Sequence, residues 1–375
     1  MKTSPFLRDF ALGIALVLIC AFFAWMNPAF LSARNLSILM IDLAITAVLA
    51  IGMLLVILPG HIDLSVGSGV GLIGGLAAVL VFEHQLPAPA AMGIGLLLAL
   101  ILWTGMGALI VVERIPAFII TLGGLLIFKG AHWLVIHNST IPVVAGGDTN
   151  LYVALTTWSL SPSLGLLLAA AVTLALVGSR LRSRKRRQAH GFDVDDFEIF
   201  FLKAFVAGQG IFLFVIVANL YRGLPLSVLI LGAVATAAHL LTKHTPFGRY
   251  LYAIGGNEEA AFVSGIPVQT VLIGAFAALG GVVALTGFLQ TAYAGASTTT
   301  VGSLMELDAI AACVIGGASL KGGRGTVAGV LFGALIMAAL LNGMTLLAVS
   351  PEIKFIARGF VLTLAVWMDV RLGRA

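Results

Sequence analysis

Long, uninterrupted runs of apolar residues are the feature that most restricts what this chain can fold into. The run "IDLAITAVLAIGMLLVIL", residues 41–58, contains a single charged side chain, that of Asp42. A helix that spans a bilayer needs about 20 such residues, since lipid offers the backbone no hydrogen-bond partner. The runs do not alternate as the strands of a membrane barrel would. A soluble globule could not bury 375 residues that are 60% hydrophobic and only 10% charged. The sequence therefore predicts an all-α, polytopic integral membrane protein.

Twelve apolar runs can be marked, and we expect about ten transmembrane helices within a single domain over residues 1–375. Runs 64–82, 225–241 and 304–320 are short or interrupted by glycine. We expect two segments to be irregular, as half-helices or partial crossings. The runs fall near 8–26, 37–58, 64–82, 90–112, 116–136, 163–179, 200–220, 225–241, 267–291, 304–320, 325–348 and 353–370.

Basic residues predict the orientation of these runs. The stretch "SRLRSRKRRQAH" carries six lysines and arginines between Arg180 and Arg187, which places it in the cytoplasm by the positive-inside rule. The order of the runs then puts both termini and residues 243–267 on the same side. Residues 180–199, which turn acidic in "FDVDDFE", are interpreted as a charged cytoplasmic loop, with binding of anionic lipid headgroups as a secondary interpretation.

The stretch "YAIGGNEEAAFVSGIPV" predicts a short helix on that cytoplasmic side. Asn257 can cap the first turn, and the two glutamates after it lie where the helix dipole favours negative charge. Gly265 suits the left-handed position that ends a helix. Two turns are too short to be stable alone, so the helix must pack on its own protein, on the membrane interface or on another protein. The segment comprises Gly256, Asn257, Glu258, Glu259, Ala260, Ala261 and Gly265.

Two glycine ladders with four-residue spacing predict close packing of helices. On a helix, such glycines form one strip of small residues that lets a neighbouring helix approach closely in lipid. The ladders are Gly67, Gly71 and Gly75, and Gly325, Gly329 and Gly333.

Polar residues near membrane depth are the candidates for a transport pathway, since their burial in lipid is costly. Asp63 and Ser65 lie at a break between two apolar runs, where they line or gate a pathway or where Asp63 caps the following helix. Glu306 and Asp308 begin another short run, where they cap that helix at the external face or help to receive the solute. Hydroxyls of residues 298–303 lie just before them.

Catalytic chemistry is absent from these patterns. The chain has no G-x-x-x-x-G-K-[ST] phosphate loop, so ATP hydrolysis would need a partner. The histidines lack metal-ligand spacing, and acids, histidines and nucleophiles do not cluster as in a membrane enzyme. We therefore predict no catalytic residue, metal or cofactor. The net charge of +5 is concentrated in one stretch and does not indicate a nucleic-acid partner.

Several motifs resemble one family of transporters. Glu259-Ala260-Ala261, followed after three residues by Gly265, resembles the "EAA…G" loop of the membrane subunits of ABC-type importers. The stretches "GHIDLSVGS", "TPFGRYLYAIGGNEEAAFVSGI" and "DAIAACVIGGASLKGGRGTVAGVLFGALIMAALLNGM" resemble the ribose/xylose branch of bacterial sugar importers. The basic stretch followed by "LYRGLPLSVLIL" is most similar to the xylose-type permeases.

This resemblance implies an ABC importer permease fold and a pore-forming subunit that imports a pentose, D-xylose first, with ribose or another monosaccharide still open. It further implies a homodimer in the bacterial inner membrane, in contact with the lipid bilayer. The partners would be a periplasmic sugar-binding protein and a cytoplasmic ABC ATPase subunit, whose groove receives the short helix. The alternative is a self-contained secondary transporter, for which Asp63 is the main ionisable candidate near the midplane.

Overall fold

The computed structural model describes residues 5–144, 149–194 and 196–373, which form a bundle of helices with two short strand pairs. Its helices are α1 (Pro5–Met26), α2 (Ala33–Ile57), α3 (Val66–Phe82), α4 (Ala88–Val112), α5 (Ala117–Val135), α6 (Leu151–Thr157), α7 (Pro162–Ala189), α8 (Phe197–Asn219), α9 (Leu226–His244), α10 (Pro246–Gly256), α11 (Glu258–Val263), α12 (Val268–Ala294), α13 (Met305–Ile315), α14 (Val327–Leu346) and α15 (Pro351–Gly373).

Two pairs of two-residue strands tie the connections together. They are antiparallel and join segments far apart in the sequence, which fixes the ends of the helices that they follow. Strand β1 (Ile141–Pro142) pairs with β4 (Ala296–Ser297), and β2 (Ser159–Leu160) pairs with β3 (Leu224–Pro225).

The prediction of an all-α, multi-pass membrane protein is confirmed. Each of the twelve apolar runs contains a helix, and in the described part eight helices are long and apolar enough to cross a membrane. The apolar stretches Leu12–Met26 of α1 and Val66–Phe82 of α3 are shorter. The expectation of a short or broken segment at 225–241 is wrong, because α9 runs without interruption for 19 residues. The eight candidate spans are α2, α4, α5, α7, α8, α9, α12 and α14.

The two ends of the bundle can be told apart by the short helices α10 and α11. Helix α12 begins next to α11. We call the end of the bundle where α12 begins the α11 end, and the opposite end the far end. Helix α4 runs antiparallel to α12, since Gly107 lies against Phe276 and Gly95 against Phe288. The amide of Gly323 donates to the carbonyl oxygen of Leu58 at 2.8 Å, which brings the end of α2 to the α11 end as well.

Helix α3 begins inside the bundle and not at its surface. At its start, the indole Nε1 of Trp103, in the middle of α4, donates to the carboxylate of Asp63 at 2.8 Å. Trp103 in turn packs on Gly280, about 18 Å along α12 from its first residue. The chain therefore enters the bundle from the α11 end as non-helical backbone through residues 58–65.

Helices α3 and α13 are both half-helices that begin inside the bundle, and α13 begins beside the start of α3. The backbone of Gly302 lies against that of Gly67, so the chain re-enters from the far end after β4 and starts α13 in the interior. The two helices then run in opposite directions, α3 to the far end and α13 to the α11 end. The two irregular segments expected from the sequence are thus the apolar runs 64–82 and 304–320.

The charged stretch 180–199 is not a loop over its first half. Helix α7 continues to Ala189, because the stretch consists mainly of good helix formers and has no glycine or proline before Gly191. Gly191 has a φ of +71°, and α8 begins at Phe197. The connection is therefore confined to residues 190–196, of which Asp195 lies outside the described residues.

One residue of the second glycine ladder does not lie on a helix. Gly325 has a φ of +156° and precedes the start of α14, because the chain turns sharply after α13. Gly329 and Gly333 lie on α14 and face the backbone of Gly316 and Ala312. In the first ladder, all three glycines lie on α3, where added Cβ atoms would meet close neighbours. These neighbours are Glu306 and Gly302 for Gly67, Val301 and His132 for Gly71, and His132 and Ser297 for Gly75.

Candidate functional site

The short helix α11 has the terminal signals that its sequence contains. Asn257 has an extended backbone, and its side chain accepts a hydrogen bond from the amide of Ala260 at 2.9 Å. Glu258 and Glu259 occupy the first turn, next to the positive end of the helix dipole. Gly265 follows the last turn with a φ of +82°. The predicted helix is therefore formed by local interactions, although α11 has only six residues.

Gly255 and Gly256, the glycines before this helix, are held in regular structure although glycine favours flexible backbone. They form the last turn of α10, where a Cβ on Gly255 would collide with the carbonyl oxygen of Leu58 and with Gly323. The Tyr252 hydroxyl donates to the carbonyl oxygen of Gly325 at 2.7 Å. Helix α10 is thus packed tightly on the end of α2 and on the loop before α14, which leaves α11 attached to a firm base.

The face of α11 that points away from the bundle carries apolar side chains beside acidic ones. Ala261 is buried against the protein, whereas Phe262 is 70% and Val263 is 81% exposed. Glu258 and Glu259 are exposed as well. An exposed apolar pair bordered by charges is typical of a surface that contacts another molecule. The helix therefore packs on its own protein through one side and remains open on the other.

A second candidate is a polar cavity of about 240 Å³ between α2, α12, α13, α14 and α15. It lies in the half of the bundle towards the far end, since it reaches the last turns of α12 and α14. Most of its polar residues come from segments that are distant in sequence. The lining residues are Asp42, Ile45, Thr46, Leu49, Gln290, Tyr293, Thr300, Gly302, Ser303, Met305, Asp308, Ala338, Leu341, Asn342, Thr345 and Arg358.

Hydrogen bonds between side chains organise one wall of this cavity. The side-chain nitrogen Nδ2 of Asn35 donates to Asn342 Oδ1 at 2.9 Å, and Asn342 Nδ2 donates to Asp42 Oδ2 at 3.3 Å. The Tyr293 hydroxyl also hydrogen-bonds with Asp42. These contacts connect α2, α12 and α14 through polar groups inside an apolar bundle, so the relative positions of the three helices determine the shape of the wall.

An ion pair forms a second wall of the cavity. Arg358 of α15 lies 3.2 Å from a carboxylate oxygen of Asp308 near the start of α13, and both side chains are largely buried. Removal of one partner would leave an uncompensated charge, which makes this pair a sensitive point of the cavity.

The lining of the cavity fits a small solute with many hydroxyl groups. Carboxylates accept hydrogen bonds, the arginine donates them, and the amides and hydroxyls do both. The volume lies slightly below the range of about 300–1,000 Å³ that is usual for pockets that hold drug-sized ligands. The cavity thus presents donors and acceptors on both walls to a compact neutral molecule.

Two of the four predicted pathway residues, Asp63 and Ser65, do not line the cavity. Asp63 and Ser65 are fully buried, and the Asp63 carboxylate accepts from the Ser65 amide at 2.7 Å and from its hydroxyl at 2.6 Å. Asp63 lies two residues before Ser65, the N-cap of α3, and these bonds, with that from Trp103, fix the turn that leads into the helix. Capping of the helix by Asp63 stays a prediction. A role in gating stays a prediction.

The other two predicted pathway residues separate in the structure. Asp308 lines the cavity, together with Thr300 and Ser303 from the preceding segment. Glu306 is also buried, but its carboxylate lies against Gly67 at the start of α3 and outside the cavity lining. Glu306 therefore contributes to the junction of the two half-helices.

Sequence reasoning missed Asp42, Asn342 and Arg358 as cavity residues. Each is a polar side chain inside an apolar run, and such residues in membrane proteins usually face the bundle interior and mark a pathway. That signal was present in the runs 37–58, 325–348 and 353–370.

Comparison with known proteins places this arrangement in a family. The family described as "Branched-chain amino acid transport system / permease component" matches residues 35–366. The chain belongs to this family. The permease is 39% identical over 369 residues to the xylose transport system permease protein XylH of Escherichia coli (strain K12), covering 97% of this chain and 92% of the relative.

Two further relatives give the same picture. The permease is 40% identical over 368 residues to XylH of Haemophilus influenzae, covering 97% and 96% of the two chains. It is 32% identical over 356 residues to the ribose import permease protein RbsC of Escherichia coli (strain K12), covering 95% and 92%. No solved structure gives a significant match. The resemblance to sugar permeases is confirmed, and with it the interpretation as a multi-pass transport subunit and not an enzyme.

Proposed function

We propose that this permease is the pore-forming subunit of an ATP-driven pentose importer of the bacterial inner membrane, with D-xylose as its sugar. The observation that supports this most directly is similarity over nearly the full chain to proteins named xylose permeases, at higher identity than to the ribose permease. The polar cavity provides the hydroxyl-binding groups that such a solute needs. Ribose and other monosaccharides are the competing substrates.

The proposed partners are a cytoplasmic ATPase subunit at α11, a periplasmic sugar-binding protein at the far end and a second copy of the permease. The basic end of α7, the loop at residues 321–325 and the helices α10 and α11 lie at one end of the bundle, which supports a cytoplasmic location for that end. Both termini are proposed to lie on this side. The cavity then opens in the outer half of the membrane, where a binding protein would release its sugar.

The contacts of α10 provide a route from the ATPase to the cavity. A partner that grips Phe262 and Val263 would displace α11 together with α10, because α10 is packed on the end of α2 and hydrogen-bonded to Gly325. Helices α2 and α14 both contribute to the wall that contains Asp42 and Asn342. Movement of α10 would therefore change the shape of the cavity and open it to one side or the other.

Reconstitution tests the energy source. The permease is placed in liposomes with and without the ATPase subunit, and uptake of radiolabelled xylose is measured with the binding protein outside. We expect uptake only when both proteins and ATP are present. Uptake by the permease alone under a proton or sodium gradient would support the secondary-transporter alternative. Competition by unlabelled xylose, ribose and arabinose in the same vesicles ranks the possible substrates.

Charge reversal tests the coupling surface. We expect that Glu259→Arg, or proline at Ala261, abolishes sugar uptake and stimulated ATP hydrolysis while the protein still inserts. The first change reverses a charge on the exposed face, and the second disrupts a helix of six residues. The matched control is Glu198→Arg, an exposed acid in the first turn of α8, which should transport normally. Wild-type uptake by both α11 variants would contradict the coupling proposal.

A further inference from the structure

Helix α7 is longer than a membrane crossing requires, and its additional length is basic. Its 28 residues extend for about 42 Å, whereas the hydrocarbon core of a bilayer is about 30 Å thick. Arg180 stands about 27 Å from the first residue of the helix. The arginines and the lysine between Arg180 and Arg187 therefore lie at the level of the lipid headgroups and just beyond.

The basic end of α7 forms a groove with α8. The groove has a volume of about 770 Å³, and its charged lining comes from Arg180, Arg184, Arg187, Lys203 and Asp193. Among the described residues that line the groove, four are basic and one is acidic, so this lining carries an excess of positive charge. The remaining lining residues are Ser183, Val194, Phe200, Leu202, Val206 and Ala207, most of them apolar.

Contacts between the two helices hold these cations on the groove side. The Arg180 guanidinium donates to the carbonyl oxygen of Lys203 at 3.4 Å, and the Arg184 guanidinium lies 5.6 Å from the centre of the Phe200 ring. The other cations of the same stretch, Arg182, Lys185 and Arg186, are exposed and do not line the groove. One helix therefore carries two sets of three basic residues with different surroundings.

The surroundings of the groove identify its occupant. On the far-end side of the groove, large apolar side chains of α7 and α8 are exposed and face the lipid. They include Leu167, Leu174, Phe201, Phe205 and Leu213. A ligand that enters from the bilayer meets first the apolar lining and then the cations. We infer that the groove binds one anionic phospholipid, with its phosphate among the three arginines and Lys203 and its acyl chains along Leu202 and Val206. Charge complementarity supports the phosphate, and the apolar lining supports the chains.

Native mass spectrometry of the purified full-length permease tests this inference. The protein is titrated with dioleoylphosphatidylglycerol, with the zwitterionic dioleoylphosphatidylcholine and with inorganic phosphate. Two triple variants are compared: the groove variant Arg180→Gln, Arg184→Gln, Arg187→Gln and the control Arg182→Gln, Lys185→Gln, Arg186→Gln. Both remove three positive charges from the same eight residues of α7, so only the position of the charges differs.

We expect the groove variant to bind phosphatidylglycerol at least about tenfold more weakly, since each basic residue near an anionic lipid contributes about fivefold. The control should stay within about twofold of wild type, and phosphatidylcholine should bind weakly to all three proteins. Size-exclusion chromatography checks the fold. If the groove variant is not recovered as a monodisperse protein, Lys203→Gln on α8 replaces it, with an expected loss of about fivefold.

Four results would overturn the inference. Equal losses in both triple variants would show a general effect of surface charge. Displacement of the lipid by millimolar inorganic phosphate would show a site for free anions. Equal affinity for the two lipids would remove the role of the cations, and co-purification of an acidic protein segment seated on these arginines in place of lipid would assign the groove to a protein partner.

Discussion

The central helices α2, α12 and α14 and the outer hairpin formed by α7 and α8 are similarly apolar but have different neighbours. Of the most apolar stretch of each helix, 78% is buried in α2 and 61% in both α12 and α14, compared with 11% in α7 and 17% in α8. Glycines of the centre lie against other backbones, whereas in the described part of the chain no atom comes within 4 Å of a Cβ added to Gly178 or Gly210 of the hairpin. Apolar runs thus show which solvent a helix prefers, and small and polar residues show whether another helix covers it.

The largest effect is expected where a central glycine is replaced. Gly333→Leu places a side chain against the carbonyl oxygen of Ala312, so α13 and α14 must separate. Overpacking of this kind costs about 1–3 kcal/mol and occasionally more, and we expect the upper end together with a loss of uptake. Gly210→Leu in the hairpin should have little effect.

Thermal unfolding of the purified proteins measures this difference. Because Cys313 is buried in the folded state, a fluorogenic maleimide reacts with it only as the protein unfolds. Cys20 is replaced by serine, so that Cys313 alone gives the signal. Similar unfolding temperatures for the two glycine variants would remove the distinction between centre and hairpin.

The second largest effect is expected where the buried ion pair of Arg358 and Asp308 is broken. Arg358→Gln leaves Asp308 buried without its partner, and the removal of one partner from a buried pair costs about 3–5 kcal/mol. We expect sugar uptake to fall at least tenfold, whereas Arg182→Gln on the exposed face of α7 should transport normally. The double variant Arg358→Gln, Asp308→Asn should recover stability relative to Arg358→Gln alone. A double-mutant cycle in which the two changes are additive would contradict the coupling of these side chains.

A smaller effect is expected for buried amides. Asn342→Leu breaks hydrogen bonds to both Asn35 and Asp42, and unsatisfied partners cost about 1–3 kcal/mol. Asn219→Leu in the hairpin breaks one hydrogen bond, to the carbonyl oxygen of Pro162 at 3.2 Å, and should cost less than half as much. The apparent affinity for xylose during uptake distinguishes them as well, because only Asn342 lines the cavity. An unchanged affinity in Asn342→Leu would argue against the cavity as the sugar site.

The smallest effect is expected for alanine at Gly208. Its Cβ would meet the Thr173 methyl group at 3.1 Å, and the gain in helix propensity of about 1 kcal/mol offsets this contact. We expect a change in stability within about 0.5 kcal/mol. Gly280→Ala in α12 has the same propensity gain but meets Trp103 at 2.7 Å, so it should destabilise the protein. The order of the two unfolding temperatures checks this pair.

The parts of the fold that depend on local sequence were predictable. Apolar runs indicated the helices, and the side chain of Asn257 and the glycine at position 265 gave both ends of α11. The charge of the basic stretch predicts a loop, whereas α7 continues through it, because arginine and lysine favour helices. The same stretch shows that topology signals and secondary structure are separate properties of a sequence.

The cavity could not be assembled from the sequence, since its walls come from five helices whose order in space is set by tertiary packing. Asp42 and Arg358 are more than 300 residues apart, and no local pattern connects them. Glu306 and Asp308 are neighbours on one short helix, yet only Asp308 faces the cavity. Their separation depends on the direction of α13, which follows from its contact with α3.

The meeting of α3 and α13 in the interior has a consequence for how the protein is made. The non-helical backbone at residues 58–65 would contact lipid, with its polar groups unsatisfied, until its later partners arrive. One of them, the amide of Gly323, leaves the ribosome only after most of the chain has been synthesised. A nascent chain released before that point would hold an incomplete first half in the membrane. Premature stop codons in the last third of the gene should therefore yield products that membrane proteases remove quickly.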